Sequence, residues 1–453
     1  MEVFGSSGTR GVANEELTPE FVLRVAKAAG TAWGVDRVAI ARDTRQTGRM
    51  LADAAASGLA STGTDVDRLG VVPTPGAQVY AEREGVPVVV VTASHNPPQY
   101  NGIKLVGADG VELAVTALEE IEETLLTESF AVAPWDETGR VREVEGVRRR
   151  YLEGLLEAVD RERIADADLT VALDPGHGAG SLTSPEFFRK LGCRVVTVNA
   201  QADGAFPGRD PEPIPDNLAD LRRLVGATDA DVGIAHDGDA DRAIFVDENG
   251  EHVDGDATLA ALAAAELEAG DTTVSAVNVS QRLVDVAEEA GADLELTPIG
   301  STNIITRIRE LQEAGRAVPI AGEGNGGIFF PDYRLTRDGA YTAARFLALV
   351  ADRPASEIVA PYDGYANVRR NVEYESTAER DAMLDAAANH AHDADADLNT
   401  RDGYRLDYGD AWVLARPSGT EPLVRVYAEA RERSRAEDLA SEMYEALVDA
   451  KSA

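Results

Sequence analysis

The sequence predicts an α/β protein made of three consecutive similar α/β domains with mixed sheets, followed by a smaller C-terminal α+β domain. Three observations carry that prediction. The length of 453 residues exceeds what one hydrophobic core organises and suits three or four domains of about 100–150 residues each. One order of elements occurs three times: strand, helix, strand, helix, apolar third strand, polar loop, turn-bearing strand. After about residue 355 that order stops and alternating strands take over. The expected domain spans are 1–146, 147–253, 254–357 and 358–453, with linkers in the polar, proline-containing segments 132–146 and 352–362.

In the first repeat, the glycine-rich turn FGSSGTRG carries Arg10 into the first strand. Residues 18–33 read as a helix, 38–45 as a strand, 48–62 as a helix, 66–72 as a second strand and PTP at 73–75 as a turn. Residues 88–91 are four consecutive valines, the pattern of a strand buried on both faces. They deliver Ser94 into the loop TASHNPPQYNGIK, with His95 beside it and Lys104 further on. Sites in α/β sheets form beyond the carboxyl ends of strands, so Ser94 stands where a nucleophile or phosphate carrier would. An ordinary capping serine in a turn would use the same residue types.

The order returns at 169–180 (LTVALDPGHGAG), with a strand at 193–198, the loop DGDADR in place of the serine loop, and a turn-bearing strand at 242–253. It returns again from 272, with the loop GEGNGG after the strand at 318–321 and the turn-bearing strand at 327–339. In the last domain, strands at 404–417 and 422–430 flank RPSGTEP, and a charged helix at about 434–450 closes the chain.

DGDADR sets Asp237, Asp239 and Asp241 at alternating positions, so a looped backbone can turn three carboxylates toward one hard cation; oxygen ligands suit magnesium. An EF-hand reading fails because Arg242 stands where that loop needs glycine. A solvated acidic face is disfavoured by the apolar strands on both sides. His236 reads as a packing or orienting residue. GEGNGG has dinucleotide-fingerprint spacing but lacks the βαβ continuation. A better reading has Glu323 and Asn325 hydrogen-bonding vicinal sugar hydroxyls. RPSGTEP offers Arg416, Ser418, Gly419 and Thr420, a set able to hold a phosphate dianion, and there is no Walker pattern for a nucleotide triphosphate. A serine, a cation site, a hydroxyl-binding loop and a phosphate-binding loop together describe phosphoryl transfer to or from a sugar. His95, Lys104 and Arg10 are candidates for moving the proton of the attacking hydroxyl, unranked by the sequence.

Composition bounds the partners. With 80 acidic against 43 basic residues the net charge is -37, which repels nucleic acids and anionic membranes. Only four of the basic residues are lysines, Lys27, Lys104, Lys190 and Lys451. That carboxylate-rich, lysine-poor balance predicts a halophilic protein kept soluble in concentrated salt. The N-terminus lacks a signal-peptide pattern, no segment is a membrane span, and the single Cys193 excludes an internal disulfide. A cytoplasmic location is expected; oligomeric state is left open.

FGSSGTRG, TASHNPPQYNGIK, DGDADR, GEGNGG and RPSGTEP together, in that order, resemble the α-D-phosphohexomutases, the family of phosphoglucomutase, phosphomannomutase and phosphoglucosamine mutase, over the whole chain. The resemblance implies four domains around a central cleft and interconversion of hexose 1- and 6-phosphates through a phosphoserine at Ser94 and a hexose 1,6-bisphosphate. It further implies Mg²⁺ on Asp237, Asp239 and Asp241 with an oxygen of the Ser94 phosphate, Arg242 beside them, and proton transfers by His95, Lys104 and Arg10. Glu323 and Asn325 would contact sugar hydroxyls, and Arg416, Ser418, Gly419 and Thr420 the non-reacting phosphate. Many members carry GExSGH in the sugar loop, and here the serine and histidine places hold Asn325 and Gly327; similar GExNGG loops occur in archaeal members. A non-catalytic sugar-phosphate-binding paralogue is the alternative, against which the retained Ser94, Lys104 and three aspartates argue.

Overall fold

The computed structural model describes residues 3–5, 8–418 and 421–452. The chain falls into two compact units, Met1–Thr258 with Asn325–Val359, and Leu259–Gly324 with Ala360–Ala453. The third repeat is thereby shared between them.

The first unit holds two sheets built on one plan. In the six-stranded sheet the order is Thr9–Val12, Tyr100–Val106, Val88–Val91, Arg37–Arg42, Asp65–Val71 and Val141–Glu143. The four valines pair in parallel with Arg37–Arg42 and antiparallel with Tyr100–Val106. Because side chains alternate along a strand, Val89 and Val91 enter one core while Val88 and Val90 enter another. Each is at most 1% exposed, worth about 1.5–3 kcal/mol of transfer free energy per side chain, so the strand is a fixed base for the loop that follows. The helix Pro19–Trp33 starts where Thr18 accepts a hydrogen bond from the N–H of Phe21 and Pro19 presets the first turn; it ends at Gly34.

The five-stranded second sheet runs His252–Val253, Ile244–Val246, Val232–Ala235, Thr170–Asp174, Arg194–Thr197. Val232–Ala235 again lies between a parallel and an antiparallel neighbour. The antiparallel hairpin Gly327–Phe330 with Arg334–Arg337 also belongs to this unit.

In the second unit Thr272–Ala276 pairs in parallel with Asp293–Thr297 and with Ala321–Glu323, the neighbour relation of the first two repeats. The C-terminal sheet is wholly antiparallel, in the order Ala366–Glu373, Leu423–Ala430, Ala411–Pro417, Tyr404–Asp407, Asp397–Asn399. One face packs against the helices Thr377–Asp393 and Arg433–Ser452 through Met383, Ala387, Leu439 and Met443. The architecture is the one expected, three α/β repeats and an α+β domain.

Two local expectations change. PTP is not a free turn but the start of the helix Thr74–Glu84, because proline suits a first helical turn. The segments read as linkers carry structure: Val141–Glu143 extends the first sheet at its edge, and Ala355–Val359 is a short helix. Among the described residues no helix is long and apolar enough to cross a membrane.

Candidate active site

Ser94 follows the valine strand with its backbone at φ 50°, the left-handed region, a conformation costing a non-glycine residue about 1–2 kcal/mol. A buried network holds it there. The N–H of Ser94 donates to Thr92 Oγ1 (2.9 Å), and that hydroxyl donates to Asp43 Oδ2 (2.7 Å). Arg45, 1% exposed, spends all five guanidinium N–H groups on the loop and its support. Nη2 donates to the carbonyls of Ser94 (2.8 Å) and Asn96 (2.6 Å), Nη1 to those of Pro97 (2.7 Å) and Tyr100 (2.9 Å), and Nε to Asp43 Oδ2 (3.1 Å).

The second sheet delivers the aspartates in the same way. The loop after Val232–Ala235 runs so close to the serine loop that a Cβ on Gly238 would lie 2.5 Å from the carbonyl oxygen of Ser94. Glycine is required there. Ser94 Oγ donates to Asp237 Oδ2 at 2.6 Å. Asp239 Oδ2 accepts from Thr74 Oγ1 (2.6 Å) and Lys104 Nζ (3.2 Å), and Asp241 Oδ2 from Lys104 Nζ (3.0 Å) and Arg337 Nη2 (2.7 Å). Asp239 Oδ1 and Asp241 Oδ1 are buried with no hydrogen-bond partner among the described residues. One ligand oxygen from each aspartate lies within 4.8 Å of the others. Buried carboxylate oxygens ordinarily have a hydrogen-bond partner, so two neighbouring aspartates that each have one oxygen tied down and one without such a partner among the described residues fit a hard cation.

The charges agree. Burial and the neighbouring charges of Asp239 and Asp241 push the Asp237 carboxyl up to about 8. Burial acts the same way on Asp241, but Arg337, Lys104 and Arg242 overcome it and hold that carboxyl well below the usual range. Burial works against the charge on Lys104, yet Asp239, Asp241 and Glu112 outweigh it and push the ammonium up. His95 Nδ1 lies 3.4 Å from Ser94 Oγ. Burial and the Arg242 and Arg10 cations push its imidazole down to about 2. Arg10 Nη1 donates to Asn96 Oδ1 (2.8 Å) in the serine loop, and Arg242 Nε stands 3.9 Å from Asp237 Oδ2 and 3.8 Å from Asp241 Oδ1. Thus Ser94, His95, Lys104, Arg10, the three aspartates and Arg242 converge. His236 Nδ1 meets the carbonyl oxygen of Arg242 at 2.8 Å, an orienting contact.

The other expected residues are placed locally. Asn325 Oδ1 accepts from the N–H of Gly327 (2.9 Å), and the carbonyl of Gly326 accepts from the N–H of Ala243 (3.1 Å), just past the aspartates. In the second unit, Glu323 ends the strand Ala321–Glu323. Arg416 pairs with Asp402 (3.0 Å), and Ser418 Oγ accepts from the N–H of Glu421 (3.3 Å). Gly419 and Thr420 lie outside the described residues.

Sequence reasoning missed Thr74, Arg45, Arg209 and Arg337. Arg209 does for the aspartate loop what Arg45 does for the serine loop: Nε donates to Asp174 Oδ2 (2.9 Å) and Nη2 to the carbonyl of His236 (2.6 Å). The available signal was an aspartate closing the first strand of the first two repeats, Asp43 and Asp174.

Comparison with known proteins agrees with this picture along the whole chain. Four family models match in order: phosphoglucomutase/phosphomannomutase alpha/beta/alpha domain I over residues 1–132, domain II over 149–250, domain III over 254–365, and the C-terminal domain over 367–446. A phosphoglucomutase/phosphomannomutase of Thermococcus kodakarensis is 41% identical over 449 residues, covering 96% of this chain and 96% of its own. A probable phosphoglucosamine mutase of Methanopyrus kandleri is 40% identical over 447 residues, covering 97% and 96%. The crystal structure of a phosphoglucomutase/phosphomannomutase family protein from Burkholderia thailandensis superposes with a TM-score of 0.86 at 28% identity, covering 99% of this chain and 97% of that one.

Proposed function

The chain belongs to the phosphoglucomutase/phosphomannomutase family and is a mutase of the isomerase class, and from that premise we propose that it shuttles a phosphoryl group between O1 and O6 of a hexose through Ser94. The observation that carries the assignment is Ser94 Oγ, 2.6 Å from Asp237 Oδ2, beside two buried carboxylate oxygens with no hydrogen-bond partner among the described residues. A nucleophile joined to a cation site in a buried loop fits phosphoryl transfer better than sugar binding, so the non-catalytic alternative is set aside.

Asp237, Asp239 and Asp241 would hold Mg²⁺, which when bound neutralises charge on the transferring phosphoryl group. With Glu112, four carboxylates face four cations, Lys104, Arg337, Arg242 and Arg10. A divalent cation therefore leaves an excess of two positive charges, the complement of a phosphoserine dianion.

Phospho-Ser94 gives its phosphoryl group to the free hydroxyl of a hexose 1- or 6-phosphate: the new O–P bond forms on the sugar as the Ser94 O–P bond breaks. His95, Lys104 and Arg10 are the candidates for taking the hydroxyl proton and passing it to the departing Ser94 Oγ; the His95 ring stands 3.4 Å from Ser94 Oγ, but burial and the neighbouring cations push it down to about 2 and make it a weak acceptor, so its proximity alone does not rank it above the other two. The resulting hexose 1,6-bisphosphate turns over and returns its other phosphoryl group to Ser94. Glu323 and Asn325 hold sugar hydroxyls, and Arg416 and Ser418, with Gly419 and Thr420, the phosphate that is not reacting.

The test is intact mass with peptide mapping of Ser94, beside conversion of glucose, mannose and glucosamine phosphates. A phosphate on Ser94 that is required for isomerisation is expected, and relative kcat/KM values name the sugar. A Ser94 that no hexose bisphosphate phosphorylates, with no isomerisation, would overturn the proposal.

A further inference from the structure

Gly327 stands at the loop-to-strand junction after Asn325, and its backbone does not explain the glycine. It lies in the strand Gly327–Phe330 and is absent from the residues with positive φ, so an L side chain would be conformationally acceptable. The space is what is taken. A Cβ at 327 would come within 2.8 Å of Arg337 Cδ and 3.0 Å of Asn325 Oδ1. Arg337 pairs across the hairpin with Phe329, so residue 327, two positions along, is its diagonal neighbour on the same face.

Crossing that glycine, the Arg337 side chain stays 6% exposed and ends on Asp241, Nη2 donating to Oδ2 at 2.7 Å, with Glu112 Oε1 at 3.6 Å. Asp241 Oδ1 remains buried without a hydrogen-bond partner among the described residues. Lys104 binds the same Oδ2, but it also binds Asp239, and a freely rotating ammonium between two carboxylates does not fix the plane of either. A planar guanidinium braced by Glu112 does.

We propose that Arg337 is the positioning residue of the aspartate triad, turning Asp241 so that Oδ1 faces the cation, and that Gly327 is the gap through which its side chain passes. The inference rests on the metal site proposed above. It makes the pair Gly327 and Arg337 one unit: a side chain at 327 forces the arginine at 337 out of its path.

The sign of the effect separates this role from a purely electrostatic one. Arg337 is a cation next to a cation site, so deleting its charge alone would tighten metal binding. Loss of the residue that orients a ligand typically weakens binding 10–100-fold.

The experiment is calorimetric titration of the metal-free protein with Mg²⁺ alone, for wild type, R337A, R337K, G327A and the double variant G327A/R337A, with thermal unfolding of each metal-free protein alongside. Expected are a 10–100-fold weaker Kd for R337A despite the lost positive charge, a smaller loss for R337K, and a severalfold loss for G327A, which alters no carboxylate. In the double variant G327A should add nothing to R337A, since its neighbour is already gone. R337A binding Mg²⁺ as tightly as wild type or tighter overturns the inference, as does a G327A effect that persists in full without Arg337. Should R337A fail to fold, R337K and G327A still decide it. A wild-type protein that binds no Mg²⁺ overturns the metal reading and this inference with it, whereas normal wild-type binding with unaffected variants overturns this inference alone.

Discussion

Replacing Arg45 by methionine keeps most of the apolar stem and removes the guanidinium that ties the serine loop to the sheet. Four carbonyl oxygens, those of Ser94, Asn96, Pro97 and Tyr100, lose their donors at once, and Asp43 loses its ion-pair partner in a fully buried setting. Breaking a buried pair from one side costs about 3–5 kcal/mol, so R45M should lower unfolding free energy by about that amount. The functional effect is separate. Ser94 is held in left-handed backbone at φ 50°, and without its clamp the loop can recover about 1–2 kcal/mol by relaxing to ordinary geometry. That would carry Oγ away from Asp237; a misplacement of about 1 Å costs on the order of 100-fold in rate. The assay is urea unfolding together with the rate of Ser94 phosphorylation by a hexose 1,6-bisphosphate, both with guanidinium added back. Loss of phosphorylation with partial rescue by guanidinium is expected. Wild-type stability with full phosphorylation in R45M would refute the clamp.

Asp338 supplies a pH prediction. Burial pushes its carboxyl up to about 6, against hydrogen bonds from the N–H of Tyr341 and from Tyr151 Oη. A folded pKa above the unfolded value of about 4 means that the folded state holds the proton longer, so this group's contribution falls as pH rises between about 4 and 6, by about 3 kcal/mol in all. D338N keeps an oxygen for the helix cap; its unfolding free energy should lose that dependence and exceed wild type above pH 7. Adding Mg²⁺ to chelator-treated protein should raise its thermal midpoint, by about 2.7 kcal/mol of added stability at 100 times Kd, and D239N should abolish the rise. The excess of 80 acidic over 43 basic residues predicts a higher thermal midpoint in molar KCl than in dilute buffer; equal midpoints would remove the argument for a halophilic protein.

The nucleophile and the aspartates, the parts of this site most legible in the sequence, share one property: they follow a short apolar strand. Four valines ahead of Ser94 and VGIA ahead of the aspartates mark sheet interiors, and polar residues straight after such strands have few places to be but a loop at the sheet edge. The supporting arginines were not legible. In a chain whose positive charge is nearly all arginine, Arg45, Arg209 and Arg337 look like surface residues, and only the fold shows them at 1%, 7% and 6% exposure. Val141–Glu143 was hidden for the opposite reason: a three-residue edge strand, exposed throughout, has no periodicity to read.

The same device recurs in the first two repeats. Asp43 with Arg45 and Asp174 with Arg209 each set an acid at the end of the first strand of a repeat against an arginine that grips carbonyls of the neighbouring polar loop. In the third repeat Val277 follows the first strand, where no acid stands, and the carbonyls of Val277 and Val279 are gripped instead by Arg405, from the C-terminal sheet (2.7 and 3.2 Å). The two self-contained clamps therefore belong to the two loops that meet at Ser94 and Asp237. Both loops approach within a single hydrogen bond, and neither can drift without loss of that contact. Rigid placement of each loop by its own repeat lets the nucleophile and the carboxylates be assembled from segments 143 residues apart, with Gly238 providing the clearance at the seam.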